Sequence, residues 1–526
     1  MNHCSSNRCS SVVEAIAYHA ASSPNRLCMA DAHSSVTYEE CFTRIYGLAA
    51  HLKDKYNVGL ETSVAVECNQ SVDYMISEFA VQLLGGIFIP VERNATPARK
   101  LDIIEDTEAV LFIGKNPLPV QNPPNSEAAH SVTPYSEARC REIPFFPINS
   151  ASSLPCAAAD IPEHDDISFP SSQQVSEILF STGTTGKSKG IVLTHKNDMA
   201  LAENVICGVK MKPDNVELIP MPLSHSHGLR RTYANLVNGS AAVFSDGVTL
   251  LKKVFTMMND FGVTAMDLSP SMLSIIFKLS KDRLGEYASA LDYIQLGSAP
   301  LPEEDKLHLG RILPDTRLYN FYGSTEAGCS CLLDFNSMSG RPSCIGKPAV
   351  NASFIVVDKD RNEIESSPEN PGFLASAGDI NMKGYFKDPQ LTAEAMDSGY
   401  IYTSDLGYID EDGYIYMLGR KDDVINYGGI KIAPEDIESI ASQYELIGDC
   451  ACVPVSDTLT GQAPKLFIVL TAGAATEADK TFDMKAFKNF LKANLDADKQ
   501  PKYIEITDEI PRTSNGKIKR NLLRQL

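Results

Sequence analysis

The stretch from Glu177 to His195, EILFSTGTTGKSKGIVLTH, sets hydroxyls, glycines and lysines between two apolar runs. That combination suits the holding of phosphate. Gly183, Gly186 and Gly190 let the backbone approach a ligand and take positive φ, so that successive N–H groups can converge on an anion. Ser181, Thr182, Thr184, Thr185 and Ser188 add hydroxyl donors, and Lys187 and Lys189 add charge. The spacing argues against a P-loop kinase or ATPase, because that motif has four residues between its glycines and here two separate Gly183 from Gly186. Taken alone, the stretch has a plainer alternative as a solvated Gly/Ser loop.

Regular elements must position that loop. Residues 178–180 read as the end of a buried strand and 191–193 as the next one. Upstream, residues 12–21 carry helical apolar spacing that stops near Pro24, and 36–38 precede a helix over 39–56. A strand at 63–68, an amphipathic helix at 73–84 and a strand at 86–91 make a βαβ unit, and 99–105 with 109–114 repeat helix then strand. Residues 116–170, rich in Pro, Ser and Ala, read as an irregular connection with a short strand around 143–148. After the loop come a helix at 197–207, a strand at 216–221, the polar interruption MPLSHSHGL and a helix at 230–237. Strands at 241–244, 263–267 and 294–296 carry the α/β alternation to about residue 330. Residues 354–419 change character, with short alternating strands at 353–357 and 414–418 and a turn signal at Asp412-Gly413, which predicts a small antiparallel β unit. The tail holds helices at 435–443 and 483–494 and strands near 451–455 and 466–470. The expectation is an α/β chain with a large N-terminal domain over 1–420 and a small α+β C-terminal domain over 421–526.

A length of 526 residues sets a prior of three or four domain-sized units, and 43% apolar residues supply ample core. A net charge of −20 argues against nucleic acid or an anionic membrane as partner, so any bound polyanion is held locally. The 13 cysteines are odd in number and lack C-x-x-C spacing, which points to neither a disulfide framework nor a zinc site. Cys329 and Cys331 read as small buried residues. The N-terminus has no charged region and apolar core of a secretory signal, and no run of about 18 apolar residues occurs. A soluble, cytoplasmic protein is expected.

Four further stretches carry a family pattern: YNFYGSTEAG (319–328), YTSDLGYIDEDGYIYMLGRKDDVI (402–425), GGIKIAPEDIE (428–438) and PRTSNGKIKR (511–520). With the Ser/Thr/Gly loop, in this order, they resemble the adenylate-forming superfamily of acyl-CoA synthetases, peptide-synthetase adenylation domains and luciferases, over essentially the whole chain. The resemblance implies two steps: a carboxylate attacks the α-phosphate of ATP to give an acyl-adenylate, and a thiol then takes the acyl group. It assigns the β- and γ-phosphates to the loop at Ser181, Thr182, Gly183, Thr184, Thr185 and Lys189. It assigns Mg²⁺ to Glu326, the α-phosphate to Thr325, adenine to Tyr322 and Asn320, and the ribose hydroxyls to Asp405 and Arg420. Lys517 would stabilise charge in the adenylation transition state. Rotation of the small domain about Asp422 would then replace Lys517 with Gly428, Gly429 and Lys431 at the incoming thiol.

The branch of the family turns on PLSHSHGL. Amino-acid-activating relatives carry an aspartate where this chain has Ser224-His225, so an α-amino acid is disfavoured. The PL-x-H-x-x-G-L form resembles acyl- and aryl-CoA synthetases, in which the histidine, here His225, borders the acyl tunnel. Ser224 departs from the aromatic common at its position. Arg230 and Arg231 follow; neighbours on a helix point roughly 100° apart, so one of them could meet a second polar or anionic group on the acid. The plainer alternative leaves both solvated or ion-paired. Ser269, Pro270, Met272 and the run Gly297, Ser298, Ala299 and Pro300 would form the other wall. With Leu526 as the last residue and no carrier domain, free coenzyme A is the expected acceptor. A separate acyl carrier protein is the alternative, and a non-catalytic nucleotide-binding relative is a third reading.

Overall fold

The βαβ unit forms as the alternation predicts. Strands Ser63–Glu67 and Ile87–Val91 run parallel, joined by the helix Val72–Leu83. Val64, Ala65, Val66, Phe88 and Ile89 are fully buried, as befits parallel strands covered on both faces. The computed structural model describes residues 9–118, 143–149, 162, 164–182, 188–299, 301–336, 341, 343–420, 423–427, 430–458, 460–471, 482–496, 499–513 and 517–526. Around the βαβ unit grows a seven-stranded sheet. Its order is Gly384–Tyr385, Ser188–Thr194, Val175–Thr182, Ile87–Val91, Ser63–Glu67, Leu111–Gly114 and Phe145–Pro147. The flanks of the Ser/Thr/Gly loop form an antiparallel hairpin in this sheet. Ile178 is buried on one face of this hairpin and Leu179, Ile191 and Leu193 on the other, so both faces are covered. Thr194 and Asn197 close a capping box that starts the helix His195–Val209.

A second, fourteen-stranded sheet carries the rest of the large unit. Its strands Leu27–Ala30, Ala241–Phe244, Val216–Ile219, Ala265–Leu268, Tyr293–Leu296 and Arg317–Ser324 pair in parallel in that order. At Arg317–Ser324 the pairing changes. Gly328–Asp334, Cys344–Pro348, Ile415–Arg420, Tyr400–Ile409, Gly372–Ala377 and Ser353–Val357 continue it antiparallel. The small β unit expected over 354–419 is therefore an extension of the α/β sheet. Cys344–Pro348 makes the join by pairing on both sides. Gly346 permits it: at φ 98°, a Cβ there would lie 1.8 Å from the Leu332 carbonyl oxygen. Cys331, on Gly328–Asp334, is fully buried and packs as a small core residue.

Arg420 ends its strand in the large sheet, and Ile425 opens the first strand of a third. That sheet runs Ile430–Ile432, Ile425–Tyr427, Gly461–Leu470 and Ile447–Asp457, with Tyr503–Ile506 also on Gly461–Leu470. Helices Pro434–Ala441 and Met484–Asn494 close its core of Ile425, Ile432, Ile437, Leu466, Ile468 and Phe487. The short hairpin around 425–432 was not foreseen from periodicity, because three-residue strands carry too little alternation to register. Among the described residues, no helix is long and apolar enough to cross a membrane.

Candidate active site

Parallel sheets gather ligands at the carboxyl ends of their strands, and Arg317–Ser324 ends there with Asn320 and Tyr322 two residues apart on one face. Asp405 and Arg420 are register partners on neighbouring antiparallel strands. Arg420 Nε lies 3.5 Å from Asp405 Oδ1, and Asp405 is only 8% exposed. The Tyr322 hydroxyl donates to Asp405 Oδ2. Burial, and then the Asp405 charge, pushes the Tyr322 phenol well above its ordinary range, so it stays a neutral donor. Asn320 is 7% exposed, and its buried Oδ1 has no hydrogen-bond partner among the described residues. Such an orphan acceptor costs about 1–3 kcal/mol unless a ligand N–H meets it.

Glu326 sits in the turn that follows. The Tyr385 hydroxyl donates to its Oε1 at 3.1 Å, and Met382 N–H donates to its carbonyl oxygen at 2.8 Å. Tyr385 lies in the two-residue strand that pairs with Ser188–Thr194, and Phe386 N–H reaches the Gly190 carbonyl at 2.7 Å. Lys189 Nζ stands 5.5 Å over the Tyr385 ring. Residues 382–386 thus tie the Glu326 turn to the second strand of the Ser/Thr/Gly hairpin. Tyr385 escaped the sequence reading, since nothing in KGYFKD separates it from an ordinary surface aromatic. Ser181 and Thr182 pair in register with Lys189 and Ser188 at the hairpin's open end. Gly183, Thr184 and Thr185 lie outside the described residues. Thr325, beside Glu326, is half-buried.

Lys517 arrives from the other end of the chain. Thr513 N–H donates to the Lys517 carbonyl at 2.8 Å, and Lys519 N–H to the Pro511 carbonyl at 2.8 Å, which folds the segment back on itself. Arg520, three residues on, anchors it: buried, it pairs with Glu435 at 2.8 Å and with Glu438. The Lys517 ammonium is lowered from its ordinary pKa by burial first and then by Arg420, while Asp405 and Glu326 act in the opposite sense. Lys517 thus lies within electrostatic reach of Arg420, Asp405 and Glu326. His225 lies within reach of Lys517 as well. Burial lowers its pKa, Glu92 at 3.4 Å raises it and Lys517 lowers it. Of Lys431, only the backbone in Ile430–Ile432 is described, and Asp422, Gly428 and Gly429 lie outside the described residues.

Arg230 and Arg231 require a correction, because neither faces a pocket. Both are fully buried on the helix Ser226–Asn238, whose residues from Gly228 to Val237 are all buried. Arg230 pairs with Asp198 at 2.9 Å and Glu177 at 2.6 Å. Arg231 pairs with Glu217 through Nε at 3.0 Å and also donates to Gln295. Each guanidinium neutralises carboxylates inside the core, so the ion-paired alternative holds. The signal for it lies in the chain: Glu177 and Glu217 sit within apolar strand sequence, where an acid needs a buried partner.

His227, two residues past His225, is the other residue the sequence reading passed over; the doubled S-H-S-H pattern was the available clue. Its Nδ1 lies 2.7 Å from Ser298 Oγ and its Nε2 lies 2.9 Å from Asp267 Oδ1. These bonds join the His225 segment to the loop of Gly297, Ser298 and Ala299, the two stretches expected to wall the acid. Ser269 accepts the Met272 N–H and caps the helix Pro270–Ser280, which accounts for its hydroxyl, and Pro300 lies outside the described residues.

The family model described as AMP-binding enzyme matches residues 16–386, and that of the AMP-binding enzyme C-terminal domain matches residues 436–517. A 2-succinylbenzoate–CoA ligase of Bacillus cereus is 25% identical over 513 residues, 96% of either chain. The corresponding ligase of Bacillus cytotoxicus is 29% identical over 393 residues, 73% of this chain and 76% of its own. Among solved structures, ATP-bound MatB from Rhodopseudomonas palustris superposes with a TM-score of 0.82 at 22% identity, covering 98% of both chains. MenE from Bacillus subtilis with ATP and magnesium gives 0.78 at 21%, covering 97% and 99%. The anthranilate CoA ligase AuaEII with anthranoyl-AMP gives 0.83 at 19%, covering 98% and 96%. At these identities the superpositions establish the fold.

Proposed function

The chain belongs to the AMP-binding enzymes, and from that premise we propose that it is an ATP-dependent, AMP-forming acid–thiol ligase. A carboxylate oxygen bonds to the α-phosphorus of ATP, the bond to the bridging oxygen breaks, and pyrophosphate leaves. The thiol of coenzyme A then bonds to the acyl carbon, its proton passes to solvent, and AMP departs. The observation that supports this reading is that Lys517 lies within electrostatic reach of Asp405, Arg420, Glu326 and His225, while Tyr385 links Glu326 to the Ser/Thr/Gly hairpin. These residues come from separate segments, and their chemistry matches the charges that adenylation must manage.

In this reading Asp405 and Arg420 take the ribose, Tyr322 stacks on adenine and the unpartnered Asn320 Oδ1 accepts the adenine amino group. Ser181 to Lys189 clamp the β- and γ-phosphates, Thr325 meets the α-phosphate, and Lys517 neutralises charge as it develops. Glu326 would hold Mg²⁺, whose preference is for hard carboxylate oxygens and whose charge would offset that of the phosphates. Gly428, Gly429 and Lys431 face coenzyme A after residues 421–526 turn about Asp422 against residues 1–420. The 2-succinylbenzoate and anthranilate ligases among similar proteins support an aryl or acyl carboxylic acid as substrate. An acidic chain whose described cysteines are free thiols fits the cytoplasm.

Carboxylate-dependent exchange of labelled pyrophosphate into ATP tests the first step, and acyl transfer to coenzyme A against a carrier protein tests the second. Exchange with one or more acids and acylation of coenzyme A are expected. No exchange across a broad acid panel removes the ligase reading; acylation of a carrier protein alone corrects the acceptor.

A further inference from the structure

Three groups form a relay beside the acyl site. Asp267 is fully buried on the strand Ala265–Leu268, and its Oδ1 meets His227 Nε2 at 2.9 Å and Gln295 Nε2 at 3.3 Å. His227, its side chain 15% exposed, turns Nδ1 toward Ser298 Oγ at 2.7 Å. Ser298 is half-buried and holds φ 74°, a left-handed conformation uncommon for any residue but glycine. A serine kept in that conformation suggests that the side chain itself is used. The loop packs on the imidazole, since a Cβ at Gly297 would lie 3.0 Å from His227 Cε1. The same Cβ would lie 3.6 Å from the Phe321 carbonyl, on the strand that bears Asn320 and Tyr322.

We propose that Asp267 and His227 are positioning residues that aim the Ser298 hydroxyl at the acid, and that the preferred acid carries a hydrogen-bonding group besides its reacting carboxylate. The proposal rests on the ligase reading and names the substrate class within it. A buried carboxylate at Nε2 fixes the proton there, leaving Nδ1 of the neutral ring to accept the Ser298 O–H. The serine lone pairs then face outward and accept from a hydroxyl or amine. If the ring gains a second proton, Nδ1–H donates to Ser298 and the hydroxyl proton turns outward toward an anion. In both states one hydrogen-bonding position is left over, and a hydrocarbon cannot fill it. A site built to hydrogen-bond a polar group discriminates against the analogue that lacks it far more than a hydrophobic pocket discriminates by size.

The test uses the full chain and matched acids: benzoate with its 2-hydroxy, 2-amino and 2-carboxy derivatives, and butyrate with 3-hydroxybutyrate and succinate. Pyrophosphate exchange is measured for wild type, Ser298→Ala, His227→Gln and the double variant. The wild type should favour a polar member by at least about tenfold in kcat/KM, and Ser298→Ala should lower that member by about 10- to 100-fold. The plain partner should change by less than about threefold, with KM for ATP unmoved. His227→Gln should reproduce the loss, and the double variant should be no worse than either single change, since the residues act through one hydroxyl. If His227→Gln does not fold, the near-isosteric Ser298→Ala decides alone. Preference for plain acids, or equal loss on both members of a pair, overturns the proposal while leaving the ligase intact; absence of exchange with every acid overturns both.

Discussion

Replacing Arg230 with leucine removes the only cation that faces Glu177 and Asp198 inside the core, at 2.6 and 2.9 Å among the described residues. Glu78 joins the same cluster through the Tyr233 hydroxyl, which it shares with Glu177. Removing one partner of a buried ion pair costs about 3–5 kcal/mol, because the remaining charges have lost both water and their counter-charge. At about 2 cal/mol/K per residue, a cooperative unit of roughly 400 residues would melt about 4–6 °C lower. Protonation shapes the pH dependence. Asp198 is pushed up to about 7, by burial first and then by Glu177, and Glu78 is raised in the same way. The native cluster thus holds protons that the unfolded chain releases near its ordinary carboxylate range. Its contribution is present at low pH and is lost as pH rises toward about 7. Without Arg230 these carboxyls rise further and the loss continues into alkaline solution. Thermal unfolding of Arg230→Leu should therefore show a larger deficit at about pH 8.5 than at about pH 6. The ranking of acids should not change. A melting temperature within about 1 °C of wild type at both pH values would refute the ion-pair reasoning. An altered acid ranking with unchanged stability would return Arg230 to the substrate.

Lys517→Ala should cut adenylation on the order of a hundredfold or more, as for loss of a transition-state donor, while retaining much of the transfer from preformed acyl-adenylate to coenzyme A. Equal loss in both half-reactions would contradict its assignment. Because burial, and then Arg420, lowers the Lys517 ammonium, adenylation should fall as pH rises through a value below the ordinary 10.5 of lysine. Arg420→Gln should move that alkaline limb to higher pH, and a limb that does not move would separate it from Lys517. Asp405→Asn should raise KM for ATP by about 10- to 100-fold, read by exchange at varied ATP, since a charge-assisted acceptor is lost. Tyr385→Phe, which removes the donor to Glu326 Oε1, should shift the Mg²⁺ dependence of exchange and leave KM for the acid unchanged; the reverse pattern would detach Tyr385 from Glu326.

Motifs of contiguous residues were the readable part of the site. Loop chemistry needs particular residue types at adjacent positions, so the Ser/Thr/Gly stretch stands out in the chain itself, while the turn at Thr325-Glu326 and the segment around Lys517 were marked by the family resemblance. The strands flanking that first loop were equally legible, because burial of alternate or continuous apolar residues leaves a periodic trace. The βαβ unit at 63–91 and the helices after Thr194 and Asp483 were visible for the same reason, helped by capping residues.

What the chain alone determined, then, was the chemistry each local segment can perform. Which segments meet was decided by sheet order. Arg230 stood open between a substrate contact and an ion pair until Val175–Thr182 and the helix after Ser188–Thr194 brought Glu177 and Asp198 against it. His227 acquired a role only when Ala265–Leu268 and the loop after Tyr293–Leu296 placed Asp267 and Ser298 at its two nitrogens. Tyr385 became the link between Glu326 and Lys189 only through a two-residue strand added to the edge of the smaller sheet. Periodicity records which face of an element is buried and not which neighbour buries it. Side-chain pairing across tens of residues is therefore a property of the tertiary fold, and here it separates ion-paired arginines from the hydroxyl proposed to meet the acid.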